Sequence, residues 1–224
     1  MPVQRMSKKQ SLTPSIFRMI NEELYTNPSQ QSASRFKKEP ELFEVYHQGY
    51  SEQVQQWPVK PFDLISKRLK QLIAKKASPA IADVGCGQAM LAKTFGAHLN
   101  IQSFDIGRAP GDETIVTLAN MTQIPVQAQA FDVIIYSLSI MGSDQKSIFT
   151  EATRILKMNG DLWVVEISSR VKTVDEFNAQ VEQFGFKLKE TKDYGFIFMS
   201  VFEKVAEKKG KAGELLGPCI YKRR

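Results

Sequence analysis

The sequence predicts an α/β protein built on a mostly parallel sheet with one reversed strand. Three observations carry this. Residues 80–105 read as strand, helix and strand: the apolar run Ala80-Ile81-Ala82-Asp83-Val84 stops at Gly85-Cys86-Gly87, a helical run through Leu91 and Phe95 follows, and Ile101 to Phe104 ends in Asp105. Phe131 to Leu138 and Asp161 to Ile167 are nearly continuous apolar runs, the mark of strands covered on both faces. Phe186 to Thr191 and Phe196 to Phe202 are strand-like runs split by a turn around Asp193 to Gly195, an antiparallel hairpin.

The glycine turn at 85–87 is the chemical centre. A side chain at Gly85 or Gly87 would block a ligand lying on the backbone. Asp83 ends the first strand among the turn's amides, and Asp105 ends the second, 20 residues after Gly85. A carboxylate there can accept from both hydroxyls of a ribose. No third glycine completes a dinucleotide fingerprint, because position 90 is Met90. No Lys-Ser/Thr pair follows to grip phosphates. A ribose acid without a phosphate grip suits a nucleoside lacking phosphates, and S-adenosylmethionine is the commonest such cofactor. A turn that needs glycine for its own sake, with an Asp capping a strand end, is the competing reading. Gly-x-Gly alone is weak evidence, and the flanking strand, helix and placed Asp105 favour the cofactor.

The remaining elements follow in order. Residues 1–14 read as loosely ordered, and Pro14 opens a short helix from Ser15 to Tyr25. Thr26 to Ser34, with Asn27-Pro28, reads as a loop. From Pro40 a helix carries Leu42, Phe43, Tyr46 and Tyr50 on one stripe, with His47 close by and Gly49 within it; Trp57-Pro58 ends it. Pro61 starts a second helix with Phe62, Ile65, Leu69 and Leu72, stopped by Ser78-Pro79. Thr114 to Leu118 is a short third strand, and Ser143 or Asp144 caps a helix that turns Ile148, Phe149, Ala152, Ile155 and Leu156 inward. Thr173-Val174-Asp175-Glu176 is a capping box for a helix burying Phe177, Val181 and Phe184, and Gly185 closes that helix. Val205 to Gly217 is Lys/Gly-rich and expected to be mobile. The chain thus divides into a basic, partly disordered N-terminal extension with a short helix (1–38), a helical cap (39–78), a cofactor-binding core (79–204) and a basic tail (205–224). The helical segment is expected beside the sheet or over its ligand edge.

Composition narrows the class. Hydrophobic residues make up 42% and charged residues 24%, ordinary for a globular protein. Cys86 and Cys219 have neither metal-ligand nor redox spacing, so a disulfide framework and a cysteine-based zinc site are not expected, and a reducing compartment is. No apolar run is long enough to span a bilayer and Met1 to Gln10 lacks a signal-peptide core, so an intracellular protein without membrane or metal is expected. The net charge of +6 is uneven. Lys204, Lys208, Lys209, Lys211, Lys222, Arg223 and Arg224 form one cluster, Arg35, Lys37 and Lys38 another, and Arg5, Lys8 and Lys9 a third. A polyanion partner and a solubilising surface both account for them.

Four stretches carry a resemblance. They are Tyr46-His47-Gln48-Gly49-Tyr50 with Trp57-Pro58 and Pro61, Ala82 to Gly87, Ser139-Ile140-Met141-Gly142, and the ending Pro218 to Arg224. Together, over roughly residues 38–224, the chain resembles the nucleolar ribosomal-RNA-processing methyltransferases related to nucleomethylin. The resemblance implies the class I S-adenosylmethionine-dependent fold, a seven-stranded, mostly parallel sheet whose last strand is antiparallel. It implies methylation of N1 of an adenosine in large-subunit rRNA, with that rRNA or a pre-ribosomal particle as partner, and work in the nucleus and nucleolus. It also raises a contact with chromatin. Carried over residue by residue, the cofactor contacts are His47, Gly85, Asp105, Asn120, Met121 and Ser137. Asn120 departs from the family's usual Asp, though its side-chain oxygen can still accept from an adenine amino group. His47 by itself reads as a packed helix residue, and the resemblance makes it a cofactor contact.

Adenine N1 carries an in-plane lone pair, so attack on a sulfonium methyl needs no general base, and no catalytic residue is assigned. N1 must be freed from pairing, which requires an unpaired or extruded base. Candidates for holding it lie after the fourth and fifth strands: Ser139, Met141, Glu166, Ser168, Ser169 and Arg170, each also readable as an ordinary strand-end residue. No Asn-Pro-Pro-aromatic or Asp-Pro-Pro-aromatic motif points to the exocyclic amine. A cofactor-sensing module that binds histone tails at ribosomal genes, and a methyltransferase acting on a protein or small molecule, are the competing functions.

Overall fold

Seven strands form one sheet in the order β3-β2-β1-β4-β5-β7-β6. In chain order the elements are α1 (Lys8–Thr26), α2 (Ser29–Lys38), α3 (Glu41–Gln55), α4 (Pro61–Ala74), β1 (Ala80–Val84), α5 (Met90–Phe95), β2 (Asn100–Asp105), β3 (Val116–Leu118), β4 (Phe131–Ser137), α6 (Gln145–Ile155), β5 (Leu156–Ile167), α7 (Val174–Glu182), β6 (Phe186–Asp193) and β7 (Ile197–Lys204). The computed structural model describes residues 8–208, 210 and 215–219. Arg5, Lys209, Lys211 and the ending Tyr221 to Arg224, with the side chains of Lys8 and Lys9, lie outside what is described. β1 pairs in parallel with β2 and β4, and β5 in parallel with β4, while β7 runs antiparallel to both β5 and β6. This is the class I methyltransferase topology that the sequence predicts.

The central strands are apolar on both faces because helices cover both. One face packs Phe131, Tyr136, Phe149, Phe177, Phe184 and Phe202 beneath α6 and α7. The other packs Ile65, Leu69, Leu91, Phe95, Trp163 and Met199 beneath α4 and α5. A third cluster, Phe17, Ile20, Leu24, Phe36, Phe43 and Tyr46, binds α1, α2 and α3 into a cap. The predicted N-cap of α7 forms, with Thr173 Oγ1 accepting from Glu176 N at 3.1 Å, while the Glu176 carboxylate pairs with Lys172 at 3.1 Å. Gly185 holds φ at +90°, and a Cβ there would meet Ala206 O at 2.1 Å, so glycine is required to end that helix.

Three expectations about the outer segments change. α1 begins at Lys8 and runs through Pro14, where the sequence predicts a start after that proline. Proline removes one backbone donor but leaves the turn before it able to form. The loop expected over Thr26 to Ser34 is mostly helix α2. Its first amide, Ser29 N, and the Ser29 hydroxyl both donate to the Asp144 carboxylate, at 3.0 and 2.6 Å. That partner lies 115 residues away, so no local pattern could announce the cap. The stretch expected to be mobile is anchored where it is described. Leu215 and Leu216 are buried, and Gln145 accepts from both their amides at 2.8 and 2.9 Å and donates to Leu216 O at 2.6 Å.

The basic clusters also thin out. Lys204 is fully buried, and its Nζ donates to Thr153 O and Leu156 O at 2.6 and 2.8 Å, neutralising the carbonyl end of α6. Arg35 pairs with Glu23 and, at 3.8 Å, with Glu39. Neither is a free cation for a polyanion, whereas Lys37, Lys38 and Lys208 are exposed. No helix among the described residues is long and apolar enough to cross a membrane.

A cleft built on the first glycine turn

The strand-to-helix turn after β1 is held by its neighbour β2. Gly85 N and Cys86 N both donate to Phe104 O, at 2.7 and 3.1 Å. Gly87 N donates to Asp105 Oδ2 at 2.8 Å, and Ile106 N to Asp105 Oδ1 at 2.7 Å. Gly85 and Gly87 hold φ at +73° and +56°. Space demands glycine as firmly as the dihedrals do. A Cβ on Gly85 would lie 2.3 Å from Ser139 Cβ, and one on Gly87 would lie 2.7 Å from His47 Cε1. The turn is therefore clamped between β4's exit and the helix α3 that bears His47.

Above the turn lies a cavity of about 300 Å³, roofed by α1, α2 and α3. Of the predicted cofactor contacts, His47, Gly85, Asp105, Met121 and Ser137 line it together. Asn120 sits beside it, its Oδ1 accepting from Thr122 N and Oγ1 at 3.0 Å and its Nδ2 donating to Gln30 at 3.1 Å. Ser139 and Met141, predicted base contacts, also line the cavity. Ser32 and Phe36 were invisible to sequence reading, since they reach the cleft through a helix whose folding depends on a distant partner. Leu24 and Tyr50 were legible only as parts of apolar helix faces.

Charge in the cleft is of one sign. Asp83 and Asp105 line it, and among the described residues no Lys or Arg does. Burial, with the Asp105 charge beside it, pushes the Asp83 carboxyl up to about 7. Burial raises Asp105 to about 6 against the pull of its backbone donors. Burial lowers His47 to about 4, so it is a neutral ring at physiological pH, packed against Phe43 at 4.3 Å between centroids and edge-on to Tyr46 at 5.1 Å. Burial pushes the Cys86 thiol far up, which leaves it protonated and unsuited as a nucleophile.

Two acids with no Lys or Arg beside them among the described lining residues, and a buried Ser139 hydroxyl without a hydrogen-bond partner, give the pocket a net negative, polar floor. S-adenosylmethionine offers an ammonium and a sulfonium for the acids and two ribose hydroxyls for Asp105, and it carries no phosphate to be repelled. The residues present fit it.

Glu166 and Arg170 are not available to a base. Both side chains are fully buried, and Arg170 Nη1 pairs with Glu166 Oε2 at 2.8 Å. Arg170 further donates to Gly217 O at 2.8 Å and Ile140 O at 2.7 Å, and its guanidinium stacks over Tyr25 at 4.4 Å. Arg170, a candidate from sequence for holding the base, is thus a structural hub. Ser168 instead donates to Asp193 at 2.9 Å, while Ser169 is exposed.

Sheet order, reversed β7 and an acid-lined crevice at the carboxyl ends of parallel strands define a class I methyltransferase. A solved methyltransferase with the same fold, the Burkholderia thailandensis 1,6-didemethyltoxoflavin-N1-methyltransferase, matches 92% of this chain and 94% of its own at a TM-score of 0.58, with 10% identity. The chain belongs to the family described as hypothetical methyltransferase, whose model matches residues 2–224. Among curated relatives, the 25S rRNA (adenine(645)-N(1))-methyltransferase of Schizosaccharomyces pombe is 37% identical over 96% of this chain and 71% of its own length. Ribosomal RNA-processing protein 8 of Mus musculus is 37% identical over 98% of this chain. The chain spans 48% of that relative's length.

Proposed function

We propose that the chain is an S-adenosylmethionine-dependent methyltransferase that methylates N1 of an adenosine in large-subunit ribosomal RNA during ribosome biogenesis. The observation that carries this is the 37% identity to a relative named for that reaction, over 96% of this chain. The cleft supports it independently, being shaped and charged for a cationic, phosphate-free nucleoside. On this reading the chain works in the nucleolus, on rRNA or a pre-ribosomal particle.

The cofactor supplies a methyl group on a sulfonium: the N1–CH3 bond forms as the C–S bond breaks, its electron pair stays on sulfur, and the base leaves cationic. The residues of the chain then have three tasks. Asp105 holds the ribose while Gly85 and Gly87 let the ligand approach the backbone. Met121 and Asn120 flank the adenine from the end of β3, where both Asn120 Oδ1 lone pairs already serve Thr122, so accepting from the adenine amino group would displace one of those bonds. His47 and Ser137 close the two sides, and the cap excludes water. No proton has to be taken from N1, so alignment of nucleophile, methyl and sulfur supplies the acceleration.

The test is nucleoside mass spectrometry of large-subunit rRNA from cells with and without the protein. Loss of 1-methyladenosine on deletion, restored by the wild-type chain, is the expected result; an unchanged level refutes the assignment.

A further inference from the structure

A line of rings runs outward from the cleft past the glycine turn. His47, seated over Gly87, meets Tyr50 edge to face at 6.3 Å between centroids. Tyr50 meets Trp57 in the same way at 6.4 Å, and Trp57 meets Phe196 at 4.8 Å with planes 63° apart. The inner two rings line the cavity, Trp57 is half-buried, and Phe196 is 38% exposed at the rim. Phe196 is fixed at the end of β5, where its carbonyl accepts from Ser168 N at 3.0 Å. The line therefore crosses the sheet in strand order, from the β1 turn past β4 to β5 and β7.

That direction decides what the outer rings face. The ribose acid stands at the end of β2 and Met121 after β3, so the acceptor side of the cleft falls to β4, β5 and β7. An edge-to-face pair leaves the faces of one ring uncovered by its partner, and a flat aromatic guest can lie on them. Two exposed cations stand close in sequence to these rings: Lys192, whose Nζ lies 5.0 Å from the Tyr194 ring, and Lys60, three residues after Trp57. Asp193, next to Lys192, is engaged by Ser168 Oγ at 2.9 Å and Gly195 N at 2.8 Å. Rings with flanking lysines are what a splayed nucleotide needs, a π-face for the base and charge for the phosphates. A methylated-lysine peptide would seek the same rings but would meet like charge.

We propose that Trp57 and Phe196 form the platform on which the extruded target adenine stacks, with Lys60 and Lys192 at its flanking phosphates. The proposal rests on the RNA adenine-N1 reading above. Its test uses the full chain, S-adenosylmethionine and large-subunit rRNA from cells lacking the protein, with 1-methyladenosine formation giving kcat and KM. Phe196→Leu keeps apolar bulk but loses the π-face, and should raise KM for RNA roughly tenfold. Phe196→Tyr should stay near wild type, and both should bind S-adenosylhomocysteine normally by calorimetry. Lys192→Gln should raise KM and flatten its salt dependence. Wild-type KM in Phe196→Leu, beside an active wild-type enzyme, overturns the platform and leaves the RNA reading standing. Lost S-adenosylhomocysteine binding in Phe196→Leu overturns it too, since the ring would then be structural. A trimethyl-lysine peptide whose binding Phe196→Leu abolishes, with RNA kinetics unchanged, assigns the rings to a peptide and overturns it. A wild-type chain that makes no 1-methyladenosine brings down both readings.

Discussion

Asp83 couples the cleft to pH. Its carboxyl is pushed up to about 7 by burial and by Asp105, so near neutrality it is half protonated. Only the carboxylate attracts a cationic ligand. Affinity for S-adenosylhomocysteine, whose ammonium it would meet, should therefore rise about tenfold between pH 6 and pH 8. Calorimetry across that range checks this, and a flat profile rules out Asp83 as the partner. The stability sign is opposite. A carboxyl raised above its unfolded value stabilises the fold at low pH and loses that contribution as pH climbs from about 4, its ordinary value, to about 7. Asp83→Asn stays neutral, so it should melt roughly 5 °C above wild type at pH 8 and converge with it as pH falls to about 4, while binding no cofactor. The glycines offer a second check. Gly87→Ala should weaken binding more than tenfold through both φ strain and the His47 clash, and His47→Ala should relieve only the clash, giving a non-additive cycle. At this scale much was legible, because glycines and strand-end acids have fixed meanings in a β-α-β turn. Glu166 misled because β5 is buried on both faces, which erases the alternation that would tell cleft from interior, and Arg170, beyond the end of that strand, because Ile140 and Gly217, which hold it inside, are distant in the chain.

Among the elements, α2 shows where local reading stops. Its segment SQQSASRFKK has one large apolar residue, Phe36, and no acid in its first turn, so periodicity reads a loop. It is a helix because Asp144, at the start of α6, caps it from outside. Asp144→Ala should cost about 1–2 kcal/mol. The loss should fall on α2, as faster amide exchange over residues 29–38 with β1 and β4 unaffected. Since α2 contributes Ser32 and Phe36 to the cleft, cofactor release should quicken as well. The strands and α7, by contrast, were readable because their signals are local: apolar runs, a capping box and a closing glycine.

For the molecule as a whole, Arg170 is the point where separate parts meet. It joins β5 through Glu166, the β4 exit through Ile140, the first helix through Tyr25 and the far end of the chain through Gly217. Removing one partner of a fully buried ion pair strands the other, and Arg170→Met should lower stability by about 3–5 kcal/mol, read as a fall in the denaturant midpoint. The double change Glu166→Gln with Arg170→Met should recover part of that loss. The sequence offered no route to this hub, since its four partners lie in four different stretches of chain. Its consequence reaches past stability. Tyr25 belongs to α1, which helps to roof the cleft, and Gly217 lies well past β7, so one guanidinium ties the first helix and the segment after the last strand to a single knot. Cutting the chain after Lys208 would therefore slacken the amino-terminal helices, and with them the grip on a methyl donor, although none of the tail's described residues lines the cleft.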